Sequence, residues 1–240
     1  MLRHPHTRYS RLYVYYLDRR QLPPFDHADL IGLWMEDEHA ILFFHSNQER
    51  LVADICQQAG ARIIYQADLD YQDWEAGVVI GPFNTRTLAL RPVWEQFLPG
   101  SETRREIVLD PSVIFGSGFH PTTRLCLETL ELVMLESCSK MRTVADLGTG
   151  TGLLAIAAAK LGAEKVTAID NNPLACEVAR SNVVMNGCEA QVDVQRHDLT
   201  TGFPDLDGYD LVVANLYKGL LVDPVSYTHL RAHETVLDLV

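Results

Sequence analysis

The stretch Thr143-Val-Ala-Asp146-Leu-Gly148-Thr-Gly150-Thr-Gly152-Leu-Leu-Ala-Ile156 decides the fold. A short apolar run carries Asp146 near its end, turns through three glycines, and passes directly into an apolar helical pattern over Leu153–Leu161. Glycines at such a turn let the backbone approach a ligand closely. The N-terminus of the following helix offers its unpaired N–H groups to the same ligand. The spacing limits which ligand is meant. A dinucleotide fingerprint needs its third glycine at position 153, where this chain has Leu, and a phosphate-binding loop needs a Gly-Lys-Ser/Thr that does not follow. Taken alone, a Gly-x-Gly-x-Gly turn also serves as a plain tight turn, so its surroundings carry the argument.

Working outward, a second apolar strand over residues 165–169 ends at Asp170, about 20 residues beyond the glycines, where a carboxylate can accept hydrogen bonds from a ribose diol. Asn171-Asn172-Pro173 then supplies a cap and a first-turn proline for a helix that ends near Asn186-Gly187. A third strand, 191–195, leads to Asp198, which is either an acceptor for an adenine amino group or an ordinary turn carboxylate. A fourth, 210–214, ends in Asn215-Leu216-Tyr217. Upstream lie a strand at 106–109, a Gly-rich turn and a helix at about 122–135. This alternation predicts a parallel sheet covered by helices on both faces, with every polar candidate at the carboxyl end of a strand.

Phe115-Gly-Ser-Gly-Phe-His120-Pro-Thr-Thr123-Arg-Leu-Cys-Leu-Glu128, the glycine turn, and Val213-Ala-Asn215-Leu-Tyr217 occur in that order. Together they resemble the class I S-adenosylmethionine-dependent methyltransferases, and within them the ribosomal protein L-eleven methyltransferase (PrmA) family, over residues of about 106–222. The resemblance implies a Rossmann-like α/β sheet, S-adenosyl-L-methionine as cofactor, and transfer of methyl groups to lysine ε-amino and N-terminal amino groups of a ribosomal protein. Carried over residue by residue, it implies cofactor contacts at Thr123, Gly148, Asp170 and Asn215, to which the strand-end positions Asp146, Gly150 and Asp198 are added. Asn215 is also the candidate catalytic residue: its side-chain carbonyl can accept an amine hydrogen and aim the nitrogen lone pair. His120 is read either as a base or as a structural hydrogen bond holding its loop.

The first third reads differently. Residues 11–17 are aromatic and β-branched, and 30–34 with 40–44 flank Glu36-Asp37-Glu38 like a hairpin. A helix capped by Ser46 and Asn47 runs through Leu51, Val52, Ile55 and Cys56 to Gly60, and 62–65 returns to strand. The expected organisation is a small α+β recognition domain over residues 1–72, a connection over 73–105 containing a strand at 87–90, and a methyltransferase domain over 106–224. In the family the first domain is ferredoxin-like and grips the ribosomal protein. Here no helix is expected between the strand at 11–17 and the hairpin. That leaves open another methylated protein, a small amine, or a cofactor-fold module without catalysis.

Composition narrows the partners. The chain has 240 residues, 47% of them hydrophobic, with 20 basic against 32 acidic residues and a net charge of −12. Nucleic acid and anionic lipid are disfavoured as partners and a basic protein is favoured. No run of apolar residues is long enough for a membrane span. Residues 1–16 lack a secretory signal pattern, so a cytoplasmic protein is expected. The five cysteines are spread without a Cys-x-x-Cys pair and read as buried thiols, the nine histidines lack partners at zinc-ligand spacing, and the oligomeric state is left open, with a monomer compatible with the sequence.

Val225-Ser-Tyr-Thr-His-Leu-Arg-Ala-His-Glu-Thr235 fits no continuation of this fold. It resembles a translated sequencing adapter, the transposase end used in library preparation, so native sequence is expected to stop at about Asp223 or Pro224. His229 and His233 are therefore not read as a metal pair. Removing the tail takes away Arg231, Glu234 and Asp238 and leaves the chain acidic. Class I methyltransferases have seven strands, of which four are encoded, and an unpaired sheet edge predicts poor solubility and little activity for this chain.

Overall fold

A computed structural model describes residues 9–36, 38–75, 77–114, 118–136, 141–202 and 204–216. Asp37, Tyr217 and the adapter-like segment lie outside the described residues, as does the 115–117 part of the motif that precedes the glycine turn. The chain forms two compact units, one of residues 7–79 with 172–174, the other of 80–171 with the rest of the chain.

In the first unit, strands β1 (Arg11–Leu17), β2 (Leu30–Glu36), β3 (His39–Phe44) and β4 (Ile63–Asp70) form an antiparallel sheet in the order β2-β3-β1-β4, with helix α1 (Glu49–Ala59) between β3 and β4. The order is that of a ferredoxin-like sheet, and residues 18–29, where that fold has its first helix, are non-helical here. Tyr15, Leu17, Ala40, Leu42 and Phe44 form a core with Val52, Ile55 and Cys56 of α1. The other face buries Leu12, Val14 and Phe43, and the Phe43 ring meets Trp74 of the short helix α2 (Tyr71–Trp74) edge-on at 5.1 Å.

Two local expectations change. Gln48 occupies the cap position of α1 without a side-chain cap bond, because Ser46 hydrogen-bonds Asp29 instead while Asn47 accepts from the Glu49 N–H at 3.0 Å. Strand β4 is twice the expected length. It pairs along β1 as far as Arg11 opposite Asp70, and its polar half (Gln66, Asp68, Asp70) faces outward on an edge strand, which hides the strand from a hydrophobicity pattern.

In the second unit, β5 (Phe83–Asn84), β6 (Leu88–Pro92) and β7 (Arg105–Leu109) form a three-stranded sheet. The segment expected as a connection thus contributes two paired strands, and β7 pairs parallel with β6, not with the main sheet. Helix α3 (Pro121–Glu136) follows. Next come β8 (Thr143–Leu147), α4 (Leu153–Leu161), β9 (Lys165–Asp170), α5 (Pro173–Met185), β10 (Val192–Arg196) and β11 (Leu211–Ala214). The main sheet is parallel in the order β10-β9-β8-β11. Its chain winds outward from β8 to β10 and then returns to the other side of β8. The winding therefore reverses between β8 and β11, and a crevice outside the strand ends at such a point is where open α/β sheets bind ligands. Helix α4 is apolar on nearly every side because it is buried, leaving only Ala159 and Lys160 partly exposed.

Candidate active site at the carboxyl ends of the parallel strands

Register brings the candidates together. Leu147 of β8 lies opposite Ile169 of β9 and Ala214 of β11, so Gly148, Asp170 and Asn215 leave the sheet side by side. The turn is bolted to β9 by the N–H groups of Gly148 and Thr149, both 2.8 Å from the Ile169 carbonyl. Gly148 has φ +71° and a Cβ there would lie 2.1 Å from the Leu216 side chain; Gly152, at φ +83°, leaves 3.2 Å to the backbone of Ala179. Both positions combine left-handed backbone with lack of room, which is the condition that demands glycine.

Asp170 accepts the Gly150 N–H at 3.0 Å, so the ribose-type carboxylate also shapes the turn. Asn215 donates through Nδ2 to Oγ1 of Thr123 at 3.0 Å, joining the end of β11 to the first turn of α3 across 92 residues of sequence. This orients the amide. With its N–H committed to Thr123, Oδ1 is the atom left as an acceptor, and it takes no hydrogen bond among the described residues.

Asp146 is placed otherwise. Its side chain is 1% exposed and accepts from Thr149 Oγ1 at 2.6 Å and from the Ala155 N–H at 3.1 Å, bracing the turn from beneath. Burial pushes its carboxyl up to about 6; those two hydrogen bonds offset part of the rise and the charge of Asp170 adds to it. Asp198 caps the short 3-10 turn Leu199–Thr201, accepting from the N–H and hydroxyl of Thr200, and these bonds hold its carboxyl below the usual range. This is the turn-carboxylate role that the sequence allowed. His120 caps α3: Nδ1 accepts the Thr122 N–H at 3.3 Å and lies 2.8 Å from its hydroxyl.

One buried group escaped the sequence reading. Glu131 of α3, 3% exposed, accepts hydrogen bonds from the Thr85 and Thr87 hydroxyls and from the N–H groups of Arg86 and Thr87. Burial alone would raise its pKa, but those bonds outweigh it and hold the carboxyl below its ordinary value. The β5–β6 turn is thereby pinned to the helix that carries Thr123, and Phe83 reinforces the junction under Phe119 and the guanidinium of Arg124. An acidic residue in the middle of an apolar helical face was the available signal.

A parallel sheet whose winding reverses between β8 and β11, with a glycine turn, a carboxylate and an amide gathered at its strand ends, is a Rossmann-like α/β domain of the class I methyltransferase type. The family model described as "Ribosomal protein L11 methyltransferase (PrmA)" matches residues 13–232. The chain belongs to that family. It is 39% identical over 137 residues to a ribosomal protein L11 methyltransferase of Heliobacterium modesticaldum, covering 57% of this chain and 41% of that protein. It is 40% identical over 167 residues to one of Exiguobacterium sp., covering 68% and 51%. The chain spans about half the length of these curated relatives or less. The crystal structure of ribosomal protein L11 methylase from Lactobacillus delbrueckii subsp. bulgaricus superposes with a TM-score of 0.52 at 36% identity, covering 65% of this chain and 75% of that one.

Proposed function

We propose that this protein transfers methyl groups from S-adenosyl-L-methionine to amino groups of ribosomal protein L11, on lysine ε-amino or N-terminal nitrogens. The observation that carries the proposal is the Asn215–Thr123 bond beside the glycine turn, which presents an amide acceptor at the strand-end crevice. The turn fits the cofactor: Gly148 and Gly152 leave its backbone bare of side chains for which there is no room, and the carboxylate of Asp170 stands at the adjoining strand end. Thr123, Gly148, Gly150, Asp170 and Asn215 would hold the cofactor. Asp146 would act from beneath as a brace, and Asp198 would close the adenine side. When bound, S-adenosyl-L-methionine supplies a methyl group already activated on a sulfonium.

The protein's own task is alignment. A lysine amine, with an unperturbed pKa of about 10.4, must be held neutral and oriented. The Oδ1 of Asn215 accepts an amine N–H and turns the lone pair toward the reacting carbon. The net charge of −12 suits a basic protein substrate. The setting is the cytoplasm. No helix among the described residues is long and apolar enough to cross a membrane.

Incubating purified ribosomal protein L11 with labelled cofactor and this protein tests the reading. Mass increments on L11 are expected. Label entering a different protein of a cell extract, with none in L11, would favour a changed substrate, for which the non-helical segment at 18–29 gives room.

A further inference from the structure

We propose that Asn182 is a positioning residue for the cofactor turn, an inference that rests on reading the glycine turn as the cofactor site. Asn182 lies on α5 and is fully buried. Its amide makes three hydrogen bonds: Oδ1 accepts the Asp110 N–H at 2.9 Å, while Nδ2 donates to the Asp110 carbonyl at 3.0 Å and to the Thr151 carbonyl at 2.8 Å. One side chain thereby commits both of its N–H groups and its carbonyl to the backbones of two separate segments.

Both segments belong to the site. The peptide joining Thr151 to Gly152 is held at both ends, its carbonyl by Asn182 and its N–H by the Thr149 carbonyl at 2.9 Å. That peptide leads into the first turn of α4. On the other side, Asp110 bonds the Ser112 N–H through its carboxylate at 3.0 Å, and Ser112 holds a left-handed φ of +52°. This turn starts the segment that runs on to Thr123. Asn182 therefore ties the glycine turn to the root of the Thr123 segment.

Asn186, one helical turn on, provides an internal comparison. It pairs in the same manner with Val108, accepting its N–H at 2.9 Å and donating to its carbonyl at 2.7 Å, but reaches no part of the turn. Ala179, one turn before Asn182, is the residue that closes on Gly152. The same face of α5 thus meets the turn through a small residue and an amide, then continues along β7 through a second amide.

The experiment compares the full chain with Asn182→Ala and Asn186→Ala. It reads amide hydrogen exchange at 108–114 and 148–153, and S-adenosylhomocysteine affinity by calorimetry. Asn182→Ala is expected to speed exchange at least tenfold in both segments and to weaken binding at least tenfold. Asn186→Ala is expected to speed exchange only around Val108 and to leave affinity within twofold. Should Asn182→Ala fail to fold, Asn182→Asp keeps the shape and the acceptor for the Asp110 N–H but offers no N–H to the Thr151 or Asp110 carbonyl, and faster exchange is expected in both segments together with weaker binding. Unchanged affinity, or exchange that rises in one segment alone, overturns the proposal. If the wild-type chain itself binds no S-adenosylhomocysteine, the reading of the site fails; the exchange comparison then decides separately whether Asn182 couples the two segments.

Discussion

The two units use their polar side chains in opposite ways. Among the described residues, the buried Thr, Ser, Asp, Glu and Asn side chains, from Thr85 to Asn186, all lie in the second unit, whereas the first unit buries aromatic and aliphatic groups and keeps its ion pairs at the surface. A buried polar group is costly unless bonded, so each one marks a place where backbone geometry is specified in more detail than packing alone would require. In the second unit those places include the glycine turn, braced by Asp146 and Asn182, and the β5–β6 turn held by Glu131. The difference separates a unit whose backbone is fixed by buried hydrogen bonds from one held by apolar packing.

The largest effect is expected at Glu131. Glu131→Ala leaves buried donors of Thr85, Arg86 and Thr87 unpaired and should cost about 4 kcal/mol in urea denaturation, with Glu131→Gln recovering part of it. An equal loss from an exposed acid of the first unit would erase the contrast. The wild-type carboxyl is held below its ordinary pKa, so its contribution is present above the unfolded value and disappears as pH falls through the folded one.

Asp146 should bend the same curve in the other direction. Its folded pKa of about 6 exceeds the ordinary 3.8, so the folded state binds this proton more tightly than the unfolded chain does. Stability is then greatest below the unfolded value and falls as pH rises to about 6, by about 3 kcal/mol in all. Asp146→Asn should flatten this slope when unfolding midpoints are compared between pH 4 and 7; a slope that persists in the variant would mean that another group produces it.

Two glycines sharpen the comparison further. Gly60, which ends α1, and Gly152 both have left-handed backbone, but nothing lies within 4 Å of a Cβ at Gly60 while Ala179 stands at 3.2 Å from one at Gly152. Gly60→Ala should cost about 1 kcal/mol from conformation alone. Gly152→Ala should cost about 2 to 3 kcal/mol because overpacking is added, and should also weaken cofactor binding. Equal costs would show that the turn has more room than its geometry implies. Least of all is expected from the half-exposed Arg11–Asp68 pair at 2.7 Å: Arg11→Ala should leave the unfolding midpoint unmoved in moderate salt.

The placement of several candidate residues was legible before any coordinates. The three glycines, Asp170 and Asn215 stand at ends of strands whose apolar runs are plain in the sequence, and register then sets them side by side. The polar edge strand β4 was only half visible, because hydrophobic alternation weakens where one face meets water. The pairing of β6 with β7 was not visible at all, since parallel partners depend on contacts remote in sequence.

The sequence by itself therefore determined the alternation of strands and helices, the turn that only glycine can make, and the family, since these depend on local backbone preference and on the order of short motifs. Tertiary structure alone decided what each polar side chain does. Asp146 turned inward as a brace, Asp198 became a cap, Glu131 clamped a hairpin, and Asn182 bridged two segments that lie 72 and 31 residues before it in the chain. The physical reason is that a hydrogen bond needs a partner within about 3 Å, and folding chooses that partner from the whole molecule.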